Sequence, residues 1–100
     1  MKIRIQWLHS VDLIWIPDII EKDIQRYQED FIMWVDGVSF DDKLREGTCF
    51  GTEHFVNYLN EWVLTDIGET NEKVSIIAQN YEPETEREKK EFDNMKKLYF

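Results

Sequence analysis

The sequence holds one cysteine, Cys49, among 100 residues, and a single thiol excludes a disulfide framework within one chain. No apolar run approaches the roughly 18–20 residues of a membrane span. The start, Met1-Lys2-Ile3-Arg4-Ile5, alternates charge and apolarity where a secretory signal would carry an unbroken apolar stretch, so a cytoplasmic domain in water is expected. There is no internal repeat and no low-complexity linker, and the length suits one domain. Bases are scarce: 12 Lys and Arg stand against 21 Asp and Glu, a net charge of −9. Such a chain is repelled by nucleic-acid phosphates and by anionic lipid. No basic stripe offsets this, so neither nucleic acid nor membrane is expected as a partner, and the favoured partner class is basic. The excess is unevenly placed: residues 1–82 carry 16 acids and 7 bases, and residues 83–100 carry five of each. The commoner meaning of a charge of this size is solubility.

What is present is enough apolar surface for a core, with 42% hydrophobic residues and four Trp. Ile3, Ile5 and Trp7 alternate with Lys2, Arg4 and Gln6, the period-2 pattern of a strand with one buried face. Val11 to Ile16 reads as a second strand ended by Pro17. Asp18 to Gln28 fits a short helix or an irregular arm: Asp18 and Glu21 have capping-box spacing, yet Ile20, Lys22, Ile24 and Arg26 also suit an edge strand. Phe31-Ile32-Met33-Trp34-Val35 and Val38-Ser39-Phe40 flank Asp36-Gly37, which predicts a β-hairpin with a type I′ turn. Thr52 is placed to cap a helix to about Leu64, with Phe55, Val56, Leu59, Trp62 and Val63 on one face. Val74 to Ala78 reads as a strand. Beyond Pro83 and Thr85, Phe92, Met95 and Tyr99 share the face of a C-terminal helix. The expected fold is α+β, with a small antiparallel sheet of about four strands, one amphipathic helix on a face and a C-terminal helix. The expected division is an acidic domain over 1–82 and a charge-balanced helical extension over 83–100.

The search for chemistry finds no catalytic set and no cofactor or metal signature. His9, Cys49 and His54 lack ligand spacing, and Cys49 with His54 has no orienting third group. Asp36, Asp41 and Asp42 lack the spacing of a calcium loop. No enzyme is expected. The aromatics point elsewhere. Trp34 lies in a run that cannot bury both sides of a sheet, and an exposed Trp or Met among acids has the make-up of a binding hot spot. Trp34 and Asp36 are therefore candidates from the strand pattern, set against the alternative that residues 83–100 cover that face.

Several blocks occur in a familiar order. Lys2-Ile3-Arg4-Ile5-Gln6-Trp7-Leu8 is followed by Met33, then Gly37-Val38-Ser39-Phe40-Asp41-Asp42. Gly47, an inserted Thr48, and Cys49-Phe50 come next, then an amphipathic helix and Val74-Ser75. In these blocks residues 2 to about 80 resemble the small acidic immunity proteins of cloacin and the ribosome-inactivating RNase colicins. The resemblance implies an antiparallel-sheet protein that binds a basic RNase toxin domain and keeps it from its RNA. It makes Cys49 and Phe50 interface candidates, and Asp42 and Glu46 beside them have the right sign for a toxin-binding surface. Two other readings stay open: an acidic phage or mobile-element inhibitor of a host nucleic-acid-binding protein, and a small structural or regulatory domain whose acids only confer solubility. The oligomeric state is not legible.

Overall fold

The computed structural model describes residues 1–37, 51–68 and 71–100. Strand β1 (Lys2–Gln6) and strand β2 (Val11–Trp15) pair antiparallel. The loop between them closes where the Trp7 N–H donates to the Ser10 carbonyl at 2.9 Å. Ile3 stands opposite Ile14 and Ile5 opposite Asp12. The period-2 reading of β1 therefore holds, and Ile3, Ile5 and Ile14 are fully buried on one face.

Pro17 breaks the strand and opens helix α1 (Asp18–Glu21), which leads into helix α2 (Ile24–Gly37). The hairpin expected over 31–40 does not form in its described part. Phe31 to Gly37 completes a 14-residue helix instead. The reason lies upstream: Ile24, Tyr27, Phe31, Trp34 and Val35 recur at i, i+3, i+7, i+10 and i+11, a helical stripe longer than the five-residue apolar run. Ile24 and Phe31 take the core side of that stripe, and Met33 falls opposite and is 71% exposed. Asp36-Gly37, read as a turn, lies within the helix.

The second long helical unit begins at Gly51. Its segments are helix α3 (Thr52–Tyr58), a π-helical turn (Leu59–Val63) and helix α4 (Leu64–Ile67). Gly51 takes the N-cap position, and its N–H donates to Nδ1 of His54 at 2.8 Å. Gly68 ends the unit in the left-handed conformation at φ 67°, which glycine adopts without a Cβ penalty. Phe55, Leu59 and Phe31 close over the first face of the sheet, with the Phe31 and Phe55 rings 5.3 Å apart. Burying a side chain of this size contributes about 1.5–3 kcal/mol.

Strand β3 (Ser75–Ala78) pairs antiparallel with β2. Helix α5 (Glu86–Asn94) is capped by Thr85, whose hydroxyl accepts from the Glu88 N–H at 3.1 Å. The C-terminal helix is shorter than its sequence pattern suggests, because Lys96–Tyr99 leave it to form strand β4 beside β1. Pairing puts Leu98 in the core at 2% exposure and leaves Tyr99, expected on the helix face, 65% exposed. Ladder bonds to β1 here outweigh a weak helical stripe.

The strand order is β3-β2-β1-β4, an α+β architecture. The sheet is mixed rather than wholly antiparallel, since β4 runs parallel to β1 with Ile3 opposite Lys96. Helix α5 meets the second face: the Arg4 guanidinium lies 3.6 Å from the Phe92 ring centroid and donates to the Phe92 carbonyl at 3.2 Å. Among the described residues, no helix is long and apolar enough to cross a membrane.

Candidate functional site

Helix α2 and the Thr52–Ile67 unit lie side by side and leave a groove on their outer surface. Arg26, Tyr27 and Asp30 of α2 line one wall, and Tyr58, Trp62, Val63, Asp66 and Ile67 line the other, around a volume of about 320 Å³. The spacings are helical on both sides. Tyr27 and Asp30 are three apart, and Tyr58, Trp62 and Asp66 are four apart, so each set shares one face.

Trp62, which an α-helical count puts on the same face as Phe55, Val56, Leu59 and Val63 and so in the core, is 57% exposed. The π-helical turn explains the difference. Its i→i+5 bonds wind more slowly than the i→i+4 bonds of an α-helix, so Trp62 stops short of the buried face that Val63 and Leu64 reach. The turn is anchored by Asn60, whose side-chain amide donates to the Val74 carbonyl at 2.9 Å and accepts from the Val74 N–H at 2.8 Å.

Trp34, selected from the sequence as an exposed strand residue, is instead a half-buried helix residue. Its ring centroid is 5.5 Å from that of Tyr58 and 6.1 Å from that of Trp62. The structure thus brings together Trp34, Tyr58 and Trp62. Asp36 lies in the last turn of α2. Its side chain, like Asp42, Glu46, Cys49 and Phe50, lies outside the described residues, as does the 38–40 arm of the expected hairpin.

The electrostatics are one-sided. From Glu46 to Glu72 the chain carries Glu46, Glu53, Glu61, Asp66, Glu69 and Glu72 and no Lys or Arg. Asp30 and Asp66 are exposed and make no ion pair among the described residues. Arg26 pairs within its own helix, 3.8 Å from Asp23, and its guanidinium lies 5.2 Å from the Tyr27 ring centroid. Burial, and then the negative charge of Asp30 and the neighbouring Tyr27, raise the Tyr58 phenol above its ordinary value.

A second polar cluster lies at the start of α3. The Thr52 hydroxyl donates to the buried Asp12 carboxylate and accepts from the Trp7 indole N–H at 2.8 Å. The Asn80 N–H completes the set, donating to the other Asp12 oxygen at 3.0 Å. This network ties β2 to α3 and to the chain after β3, and its groups are engaged with one another.

Tyr27, Asp30, Tyr58 and Asp66 were not singled out from the sequence. The signal that would find them is the i, i+3 and i, i+4 spacing of aromatics and acids on two helices, the first of which reads as a strand from Phe31 onward. In comparisons with known proteins, the chain matches no family model, no curated protein and no solved structure.

Proposed function

We propose that this protein is an immunity-type inhibitor that binds a basic nuclease toxin, of the RNase kind, in the cytosol of the producing cell. One observation carries the reading: Trp34, Tyr58 and Trp62 form an aromatic set with Trp62 exposed, bordered by Asp30 and Asp66, which make no ion pair among the described residues. Aromatic anchors with an acidic surround suit a partner that is itself electropositive because it must hold RNA phosphates. Carboxylates in such an array would steer association to about 10⁸ M⁻¹s⁻¹ or faster at low salt. The order of sequence blocks from Lys2 to Ser75 is independent support, as is the lack of a recognisable catalytic set in the sequence.

The test is protection. The protein is co-expressed with the basic nuclease toxin encoded beside its gene, and survival and co-purification are scored. Survival with a stoichiometric complex supports the reading. A neighbouring gene that encodes no toxin, together with no protection against a panel of RNase toxins, would overturn it.

A further inference from the structure

We infer that the groove between α2 and the Thr52–Ile67 unit is the seat for an arginine side chain of the partner, with Asp30 and Asp66 as its counter-charges and Trp62 as its stacking face. This rests on the inhibitor reading for the partner's basic character, and on the groove for the choice of residue. The two carboxylates stand on opposite walls and are unpaired among the described residues. Between them the surface is aromatic, from Tyr27, Tyr58 and Trp62. Asp30 on one wall and Asp66 on the other disfavour an anion, and the base that lines the groove, Arg26, is turned toward Asp23. A purely apolar side chain would leave two carboxylates desolvated without a partner.

A cation satisfies both features, and arginine does so better than lysine. Its planar guanidinium stacks on an aromatic face and still presents donors along its edge to carboxylates. A lysine ammonium is a compact, strongly hydrated charge that gives up more water to lie on a ring. The groove already displays the matching contact, since Arg26 at its end holds a guanidinium over the Tyr27 ring. Arg26 is drawn back toward Asp23 in the preceding turn, and the pair Asp30 and Asp66 is left for an incoming group.

The experiment titrates the full-length ¹⁵N-labelled protein with hexa-arginine and hexa-lysine peptides and follows amide and indole N–H signals. The Trp62 indole is expected to move most, with the arginine peptide binding more tightly than the lysine peptide. Asp30→Asn with Asp66→Asn should weaken hexa-arginine by about tenfold. A control of equal charge change, Glu82→Gln with Asp93→Asn, should weaken it by about twofold or less. Trp62→Ala leaves net charge unchanged and should remove the arginine-over-lysine preference. Equal weakening by both double variants, or shifts spread over the acidic surface with Trp62 unmoved, would overturn the proposal. Toxin protection that survives Trp62→Ala and Asp30→Asn with Asp66→Asn would also sink the arginine seat while leaving the inhibitor reading intact. A seated peptide without protection by the wild-type chain would count against the inhibitor reading alone.

Discussion

Arg4 is a buried cation whose guanidinium rests 3.6 Å from the centroid of the Phe92 ring, an attachment between β1 and α5 across most of the chain. A lysine ammonium at position 4 could not reproduce it, because the stack needs a planar group. A double-mutant cycle with Arg4→Met and Phe92→Leu should give a coupling energy of about 1–2 kcal/mol in urea unfolding. A coupling indistinguishable from zero would mean that the two groups merely share space.

The Thr52 hydroxyl serves two partners at once, Asp12 and Trp7. Thr52→Val keeps the shape and removes both bonds, leaving a buried carboxylate with fewer donors. The expected loss is about 2–3 kcal/mol of stability, and Thr52→Ser should recover most of it. Chemical denaturation of the three proteins tests this; a Val variant as stable as wild type would refute it.

Asn60 completes the hydrogen bonds of the Val74 main chain. Asn60→Ala should cost about 1–3 kcal/mol and speed hydrogen exchange at the Val74 amide. Asn60→Asp retains the acceptor for that amide and loses the donor, so its amide protection should survive better than that of the Ala variant. Unchanged exchange in Asn60→Ala would exclude the clamp.

The raised Tyr58 phenol fixes the sign of an alkaline effect. The folded phenol keeps its proton where the unfolded one, at an ordinary value of 10.0, loses it. Above that value the unfolded state binds fewer protons, so stability contributed by this group is intact below it and falls as pH rises through it. Tyr58→Phe should remove that part of the decline. Asp30→Asn should lower the Tyr58 titration only partway, because burial is the larger cause. Ultraviolet titration of phenolate absorbance reads both, and an unmoved Tyr58 in Asp30→Asn would show that the carboxylate is not felt.

Charge reversal tests the acidic candidates read from the sequence. With the cognate toxin, Asp42→Lys and Glu46→Lys should slow association markedly at low salt and much less at high salt, where the screening length shrinks. Stopped-flow rates equal to wild type at low salt would remove both residues from the steering surface.

Local patterns were legible where one period dominated. The alternation of Lys2 to Trp7 gave the buried face of β1, and the spacing of Phe55, Val56 and Leu59 gave α3. The run from Phe31 to Val35 misleads because five consecutive apolar residues fit either period, and the deciding residues, Ile24 and Tyr27, lie outside it. Strand β4 was illegible because its partner is β1, and nothing local distinguishes Lys96–Tyr99 from a last helical turn. The site was half legible: Trp34 stood out as an unburied aromatic, but its neighbour Trp62 was lost to the core, since an α-helical count takes no account of a π turn.

The parallel pairing of β1 with β4 also sets the order of assembly. The β1–β2 hairpin closes over four residues and can form within about 1–10 μs. Its other edge waits for a strand more than ninety positions away, because Ile3 pairs with Lys96. Closing so long a loop costs entropy before it returns contacts, so completion of the sheet belongs to a late, slow folding step. Until then β1 presents a bare edge of unpaired backbone groups, and a chain cut before Lys96 would keep that edge open to pairing with its own copies.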